Sequence, residues 1–155
     1  MGMMAVTQVT AIFFWYTCFV DIFKQLKELN FPIGQYVVAG GTMAAHGIRD
    51  AHDLDIIVTP NLYKRLLKEG YVQCTCEQCM RTSRLMLKRG NVDILPNFMF
   101  GNYIGDTNLL IKEADMINGY PFIQLTEFIK FKKELGRPKD FDDIKLMEEY
   151  IMKNS

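Results

Sequence analysis

Apolar and polar residues follow two different periods along the chain, and together they predict a domain that mixes helices and strands. Helical spacing is typical of the segment from Val20 to Leu29, of PNLYKRLLKEG, and of two C-terminal segments, IQLTEFIKFKKEL and DFDDIKLMEEYIMK. A short helix is predicted from Thr42 to Ile48. Apolar runs predict strands at QYVVAG, DLDIIV and YVQCT, and SRLMLKRGNVDILP predicts two more around a tight KRGN turn. This succession favours an α/β or α+β fold, with a mixed β-sheet, flanking helices and a C-terminal helical pair.

The pattern is weaker between the predicted strands and the C-terminal helices. The stretch NFMFGNYIGDTN is typical of loops, and LLIKEADMINGYPF favours neither helix nor strand. No repeat, low-complexity run or interdomain linker interrupts the sequence. The chain has 155 residues, of which 49% are hydrophobic, and residues 21–155 are therefore predicted to form a single domain.

Residues 1–20 form an uncharged apolar segment ahead of that domain, MGMMAVTQVTAIFFWYTCFV. Its length would allow membrane insertion or a signal segment. However, no Lys or Arg precedes the apolar run, and four polar residues dilute it. We therefore expect an N-terminal extension that packs ahead of the first helix, and membrane insertion is not favoured. A translation start near Val20 is a further interpretation of the same pattern.

The balance of charges and the use of cysteine narrow the class of protein. Eighteen basic residues cancel eighteen acidic ones, so neither an extensive nucleic-acid surface nor attraction to an anionic membrane is expected. Three of the four cysteines lie together in CTCEQC, which is unlike a disulfide framework and favours a reducing, cytoplasmic location. Cys74, Cys76 and Cys79 could bind a metal ion, although zinc usually has four ligands. The alternative is a hairpin whose thiols bind nothing.

Two aspartates interrupt the apolar strand DLDIIV. Residues two apart in a strand point to the same face, so Asp53 and Asp55 project together while Leu54 and Ile56 point to the core. Aspartate is depleted in strands, and a solvent-facing strand is the simpler explanation of the pair. A third acid, Asp93, lies in the apolar run NVDILP and would be about 5 Å (Cβ to Cβ) from one of them if the strands pair. Three carboxylates so close repel unless a cation screens them, and Mg²⁺ is the cation that prefers such oxygen ligands.

A glycine pair lies between the first predicted strand and the short helix. Gly40 and Gly41 would turn backbone N–H groups and the positive end of the helix toward a bound anion. Glycine has no β-carbon, so a phosphate could approach the backbone closely. Thr42 adds a hydroxyl donor. A glycine pair alone is common in turns, but one followed at a fixed distance by an acid pair predicts a phosphate site beside a metal site.

The stretch GGTMAAHGIRDAHDLDIIV resembles the signature of the DNA polymerase β-type nucleotidyltransferase superfamily. That signature is a glycine pair, often with a hydroxyl residue, followed about a dozen residues later by an acid–apolar–acid strand. Eleven residues separate Gly41 from Asp53, and Gly47 and Arg49 match a variant found in small proteins of the superfamily. The resemblance implies a nucleotidyltransferase fold. It also implies that Asp53, Asp55 and Asp93 are catalytic residues that bind two Mg²⁺ ions, and that Gly40, Gly41, Thr42 and Arg49 bind the nucleotide.

A second stretch, FIKFKKELGRPKDFDDIKLM, is similar to the C-terminal part of small prokaryotic members, including toxin-like ones. The matching positions are Lys132, Arg137, Asp140 and Asp143. Lys132 extends an apolar helix face by one turn, so it could reach a cleft and bind a triphosphate, or it could be a lysine with a buried stem and a solvated amine. The two aspartates could instead be a helix N-cap and a first-turn acid.

The resemblance implies Mg²⁺-dependent transfer of a nucleoside monophosphate from ATP or another NTP to an acceptor hydroxyl. The acceptor could be an RNA end, a protein side chain or a small molecule, and a small antitoxin protein is a further implied partner. The alternative is a non-catalytic nucleotide-binding or partner-binding module of the same fold, such as one component of a toxin–antitoxin pair. A basic cluster after the cysteines is either an exposed hairpin or a surface that contacts acceptor phosphates; its members are Arg81, Arg84, Lys88 and Arg89.

Overall fold

The computed structural model describes residues 20–155, and the predictions for residues 1–19 lie outside them. The described part contains seven helices and nine strands. The helices are α1 (Ile22–Leu29), α2 (Thr42–Ala45), α3 (Pro60–Lys68), α4 (Glu77–Arg81), α5 (Thr107–Lys112), α6 (Leu125–Leu135) and α7 (Pro138–Lys153). The strands are β1 (Tyr36–Val38), β2 (Leu54–Val58), β3 (Val72–Gln73), β4 (Leu87–Arg89), β5 (Val92–Leu95), β6 (Phe98–Phe100), β7 (Tyr103–Gly105), β8 (Asp115–Ile117) and β9 (Tyr120–Phe122).

Seven of these strands form one mixed sheet, in the order β3-β4-β5-β2-β1-β9-β8. The central strand β2 pairs antiparallel with β1 and parallel with β5, whereas β1 pairs parallel with β9. The remaining two strands, β6 and β7, form a separate antiparallel hairpin. The mixed α+β class with flanking helices is therefore confirmed.

Apolar side chains bury both faces of the large sheet. Ile56 of β2 belongs to one buried cluster, which includes Leu26 of α1 and Leu62 of α3. Ile57 belongs to a second cluster, together with Ile129 of α6 and other residues of the C-terminal helices. Because successive residues of a strand point to opposite faces, the sheet lies between two layers of helices. The C-terminal helical pair covers one face.

Local signals explain why several helices begin where the sequence predicts. The Asp21 carboxylate accepts a hydrogen bond from the backbone N–H of Lys24 at the start of α1. Thr59 caps α3 in the same way, and Pro60 occupies the first turn, where its missing N–H costs nothing. The predicted helix from Thr42 to Ile48 is shorter, since it ends at Ala45, and Gly47 then adopts a positive φ of 73°.

Three other segments contain elements that the sequence did not predict. The loop predicted after Pro96 contains the β6–β7 hairpin, and the ambiguous segment after it contains most of α5 and a second hairpin, β8–β9. The cysteine segment, for which the sequence allows a metal site or a hairpin, contains helix α4 and not a hairpin. These elements are only three to six residues long, too short to display a clear period in the sequence.

Candidate functional site

The site is built where β1 ends and β2 begins. The backbone N–H of Ala39 donates to the carbonyl of Asp55 at 2.8 Å, and the N–H of Asp55 donates to the carbonyl of Gly40 at 3.0 Å. These bonds extend the pairing of the two strands by one step, so that the glycine turn lies directly opposite the acidic position. Leu54 and Ile56 on either side of Asp55 are fully buried and fix the strand in this register.

Both glycines fit closely against β2, and each for its own reason. A β-carbon added to Gly40 would lie 2.6 Å from Cγ of Asp55 and would overlap its Oδ2, so no larger residue fits without moving the carboxylate. Gly41 has a φ of 118°, a conformation that favours glycine, and an added β-carbon would lie 3.0 Å from Cδ1 of Leu54. The turn is therefore shaped to the acidic strand.

The predicted pairing of the acidic strands is confirmed. Asp55 of β2 lies opposite Asp93 of β5 in the parallel register, and Lys88 of β4 lies opposite Asp93 on its other side. The ammonium of Lys88 lies 3.5 Å from Oδ1 of Asp93 in an ion pair. That oxygen is buried and has no hydrogen-bond partner among the described residues. Asp93 is therefore only weakly satisfied by its neighbours.

Asp55 has an unusual protonation equilibrium. Burial, together with the negative charges of Asp93 and Asp53, raises its pKa to about 6, and the cations Arg84 and Lys132 oppose that rise. The physical cause is that ionisation would place a third negative charge in a partly buried site. Burial first, and then the two neighbouring acids, therefore make the carboxylate form of Asp55 less favourable than in water.

A cavity of about 400 Å³ opens beside the acid pair and the glycine turn. Its volume is within the range of small-molecule sites. Its polar and charged lining comes from several separate parts of the chain: Gly40, Gly41, Arg49, Asp50, His52, Asp53, Asp55, Lys132, Arg137, Lys139 and Asp143. Met43, Ala44 and Phe128 contribute apolar wall. The cavity thus combines carboxylates, cations and an apolar side within one space.

The cations of the cavity are held by a continuous network of ion pairs. Arg49 donates to both carboxylate oxygens of Asp143 at 2.8 Å. Lys132 donates to Asp143 at 2.9 Å and to Asp140 at 3.4 Å, and Arg137 donates to both oxygens of Asp140 at 2.7 and 3.0 Å. Three cations meet two carboxylates, so the network has one net positive charge. It connects the loop after α2 to both C-terminal helices.

Burial makes this network unusual for an ion-pair cluster. Asp140 is fully buried and the side chain of Lys132 is 8% exposed. Burial tends to raise the pKa of Asp143, but the hydrogen bonds from Arg49 and Lys132 outweigh it and hold that pKa below its usual range. The N-cap of α7 is Arg137, so the interpretation of Asp140 as the N-cap is wrong, and Asp143 lies beyond the first turn. Asp140 is instead a first-turn acid that accepts from the backbone N–H of Arg137, and the ion pairs give it a second role.

The structure gathers most, but not all, of the residues that the sequence predicted. Gly40, Gly41, Arg49, Asp53, Asp55, Lys132, Arg137 and Asp143 line the cavity. Asp93 and Asp140 do not line the cavity, but each is next to a residue that does. Asp93 lies opposite Asp55 in the sheet, and Asp140 accepts a hydrogen bond from Lys132. Thr42 does not line the cavity, because its side chain is fully buried and its hydroxyl donates to the carbonyl of Val38 at 3.0 Å. Helix α2 has only four residues, so the helix-dipole argument for the glycine turn is weak.

Sequence reasoning underrated three residues. His52 and Lys139 line the cavity, and Arg84 lies near enough to Asp55 to lower its pKa. From the sequence, His52 next to Asp53 either tunes the site or is a solvated loop residue, and Arg84 either contacts acceptor phosphates or belongs to an exposed hairpin. A signal for Lys139 existed in the basic run GRPK, which precedes an acidic helix start. Nothing in the local sequence marks Arg84, since its approach depends on the packing of β4 beside β5.

The carboxylates offer the ligand chemistry that Mg²⁺ prefers, because all their donors are hard oxygens. The crowding of acids around Asp55 fits a nearby cation, and Asp93 has the ammonium of Lys88 beside it at 3.5 Å. Within residues 20–155, the one group of three or more ligating side chains whose donor atoms lie within 4.8 Å of one another is the cysteine group Cys74, Cys76 and Cys79. The aspartate oxygens are spread more widely, as mutual repulsion would make them.

Comparison with known proteins adds no family to this description. No family model matches the chain, and no curated protein matches it. Within the described residues, none of the helices combines the length and apolar character needed to cross a bilayer. The function is therefore argued from the geometry of the site.

Proposed function

We propose that this chain is a Mg²⁺-dependent nucleotidyltransferase, which moves a nucleoside monophosphate from an NTP to an acceptor hydroxyl and releases pyrophosphate. One observation carries the proposal: the glycine turn packs directly against the carboxylate of Asp55, so that turn and acid pair face a single cavity. This arrangement, together with the resemblance of GGTMAAHGIRDAHDLDIIV to the polymerase β-type superfamily, favours nucleotidyl transfer over other uses of an acidic strand.

Asp53, Asp55 and Asp93 would hold the metal. The raised pKa of Asp55 supports a need for positive charge there, and the cation beside Asp93 is the largely exposed Lys88. Bound Mg²⁺ would supply charge neutralisation for the phosphates and for the leaving pyrophosphate. Asp53 is exposed at the cavity and Asp55 is partly buried beneath the turn, so the two carboxylates present donors at different depths.

The basic residues would bind the triphosphate. Lys132 and Arg49 line the cavity, and Asp143 holds both of them in fixed positions. Such preorganisation lowers the entropy that the side chains lose when an anion binds. The network has one net positive charge and Lys139 adds another nearby, and together with Mg²⁺ bound by the acid pair these cations would attract a polyphosphate. The apolar wall near Phe128 leaves room for the nucleoside.

The chemical step requires a proton acceptor. The oxygen of the acceptor hydroxyl forms a bond to the α-phosphorus, the bond from that phosphorus to the bridging oxygen breaks, and pyrophosphate leaves with that oxygen. The hydroxyl proton passes to a carboxylate, and Asp93 is our assignment for that base. Its partner Lys88 is largely exposed at 54%, so the ion pair can open without burying a charge.

The acceptor is left open by this site. A net charge of zero argues against extensive contacts along a nucleic acid, because each phosphate contact requires a cation. One RNA end, a protein side chain and a small hydroxylated molecule all remain compatible with a cavity of about 400 Å³.

Position-specific labelling tests the reaction. The full chain is incubated with Mg²⁺, a cell extract and each NTP in turn, labelled either at the α-phosphate or at the γ-phosphate. We expect the α-label, and not the γ-label, to enter an RNA, protein or small-molecule product. Asp53→Asn should abolish the transfer, while Asp142→Asn, which changes an exposed carboxylate on α7, should leave it intact.

Two results would contradict the proposal. Transfer of the γ-label would identify a kinase-type reaction instead. Binding of NTP without transfer of either label in any extract would favour the alternative of a non-catalytic nucleotide-binding module.

A further inference from the structure

Three cysteines lie close together at the β3 edge of the sheet, away from the glycine turn. Cys74 follows β3, Cys76 precedes α4 and Cys79 lies within α4, and their sulfur atoms all lie within 4.8 Å of one another. Cys79 is buried, Cys74 is partly buried and Cys76 is exposed. The group therefore has one side anchored in the protein and one side open to solvent.

Backbone hydrogen bonds hold this segment in place. The N–H of Cys74 donates to the carbonyl of Met86 at 2.8 Å, which anchors it to the strand that leads into β4. The N–H of Arg84 donates to the carbonyl of Cys79 at 2.9 Å, which ties the end of the segment back to α4. These two bonds fix the segment at both of its ends.

We propose that Cys74, Cys76 and Cys79 bind a Zn²⁺ ion through three thiolates, with the fourth position open to solvent or to an exogenous ligand. With Zn–S bonds of about 2.3 Å, tetrahedral coordination requires sulfur atoms about 3.8 Å apart. Sulfur atoms already within 4.8 Å reach that spacing with shifts of about an ångström or less. Soft thiolates select Zn²⁺ over the hard Mg²⁺ of the proposed catalytic site.

The electrostatic surroundings suit such a centre. Three thiolates and one Zn²⁺ carry a net charge of −1, which a neighbouring cation can offset. Lys88 is close enough to Cys74 for that thiol to affect its pKa, and Arg84 is bound to the backbone of the same segment. Three protein ligands with an open fourth position are typical of exchangeable or reactive zinc, whereas a structural site has four.

The zinc proposal does not depend on the nucleotidyltransferase proposal. The thiols lie beside β3 and β4, whereas the acid pair and the glycine turn lie at β1 and β2 on the other side of β5. Either site can be present without the other. A spectroscopic signal that only thiolate ligands produce distinguishes metal bound by the cysteines from metal bound by the aspartates.

Cobalt substitution provides that signal. The full chain is prepared with Cys18→Ser, which leaves three thiols, and is titrated with Co²⁺ under anaerobic, reducing conditions. We expect a sulfur-to-cobalt charge-transfer band that saturates at one ion per chain and that Zn²⁺ removes by displacement. Cys76→Ser should weaken binding by about 100-fold or more, since it removes a ligand. Thr75→Ser changes an exposed neighbour and should leave the titration unchanged.

Cys76 is the most informative position, because it is exposed and its substitution leaves the apolar core intact. Circular dichroism of each variant verifies that the fold is retained, and Cys79→Ser, a buried position, provides the second test. Absence of the charge-transfer band in the reduced chain, or a band that persists in both serine variants, would overturn the proposal. Loss of the band already in the Cys18→Ser chain would also overturn a site made of these three thiols.

Discussion

Asp55 occupies a position in which a carboxylate is unfavourable on its own. Its raised pKa of about 6, against an ordinary value near 4, corresponds to on the order of 3 kcal/mol of lost stability at neutral pH. Below about pH 4 both the folded and unfolded states bind the proton, so the penalty disappears. Between pH 4 and 6 only the unfolded state ionises, and the penalty grows until it levels off above pH 6.

Asp55→Asn should therefore stabilise the chain in the absence of metal. Because the amide carries no charge, we expect the melting temperature at pH 7 to rise by about 5 °C, and the gain to shrink as the pH falls toward 4. Thermal unfolding followed by circular dichroism in EDTA measures this. Asp142→Asn is the matched control and should change little. A destabilised Asp55→Asn chain at pH 7 would show that the carboxylate contributes to folding.

Gly40 should be energetically coupled to Asp55. Gly40→Ala places a β-carbon where the carboxylate of Asp55 now lies, so the side chain has to move. We expect Gly40→Ala to weaken Mg²⁺ binding and to destabilise the fold, and we expect the loss of stability to be smaller by about 1 kcal/mol or more in an Asp55→Ala chain. Urea unfolding of the two single variants and the double variant measures that coupling. Strict additivity would contradict the close packing.

For single residues, the sequence predicted those side-chain positions that follow from the local strand period. The same-face projection of Asp53 and Asp55 follows from the strand period of two, and the pairing with Asp93 was a conditional prediction that the register confirms. The hydroxyl of Thr42 could not be placed, because its orientation depends on how tightly the turn packs against β1. The influence of Arg84 on Asp55 depends on a distant part of the chain.

The two C-terminal helices meet through buried charges. Lys132 of α6 donates to Asp140 and Asp143 of α7, and its ammonium also lies 4.9 Å from the centre of the Phe128 ring. Buried ion pairs contribute little net stability compared with apolar packing, but removing one partner leaves the other as an uncompensated charge. These contacts therefore fix how the helices meet, and with them the shape of the cavity.

Lys132→Met should destabilise the chain at neutral pH by about 3 kcal/mol, because two buried carboxylates lose a cation while Arg49 and Arg137 remain. The lowered pKa of Asp143 means that its contribution exists above the ordinary carboxyl range and is lost as the pH falls below about 4. The difference from the unmodified chain should accordingly shrink in acid. Denaturant unfolding at pH 7 and at pH 3.5 measures both effects.

Lys133→Met provides the matched control for that substitution. Lys133 is the next residue of α6, is 60% exposed and lies 4.0 Å from Glu148, so its loss should change stability by less than about 0.5 kcal/mol. Equal effects of the two substitutions would contradict the assigned role of the buried network.

Helices with long apolar stripes and clear caps were predictable from the sequence, as α1, α3, α6 and α7 demonstrate. The elements that differ from prediction are α4, α5 and the two hairpins β6–β7 and β8–β9. Their strands have three residues each, and Gly101 and Gly119 turn them with positive φ angles. Such strands are stabilised by pairing and tertiary packing, which local sequence does not encode.

The whole molecule joins distant segments at one cavity. The cavity is lined by the glycine turn, the acidic strand and parts of α6 and α7. These segments meet because the C-terminal helices pack on the face of the sheet formed by β1 and β2. The class of fold was predictable from the succession of elements. The strand order was not, because the parallel pairing of β1 with β9 joins residues that are far apart in sequence.

A chain that begins at Val20 should keep this arrangement. Asp21 supplies the N-cap of α1 and Ile22 lies in the buried core, so the first described helix has its own start signal. We expect thermal stability and Mg²⁺-dependent NTP binding to match those of the full chain. A chain that begins at Phe23 loses the cap and a core residue and should be less stable by about 2 kcal/mol or more. Unfolding of the Val20 chain would place residues 1–19 in the core.

Metal-linked nucleotide binding tests the central claim most directly, because it requires no knowledge of the acceptor. Isothermal titration calorimetry with a non-hydrolysable NTP analogue is performed with Mg²⁺ and with EDTA, on the unmodified chain, Asp55→Asn and Asp142→Asn. The account predicts tight binding only with Mg²⁺, at least a tenfold loss in Asp55→Asn and no loss in Asp142→Asn. Equal affinity with and without Mg²⁺, or full affinity in Asp55→Asn, would contradict a magnesium–nucleotide site at the acidic strand.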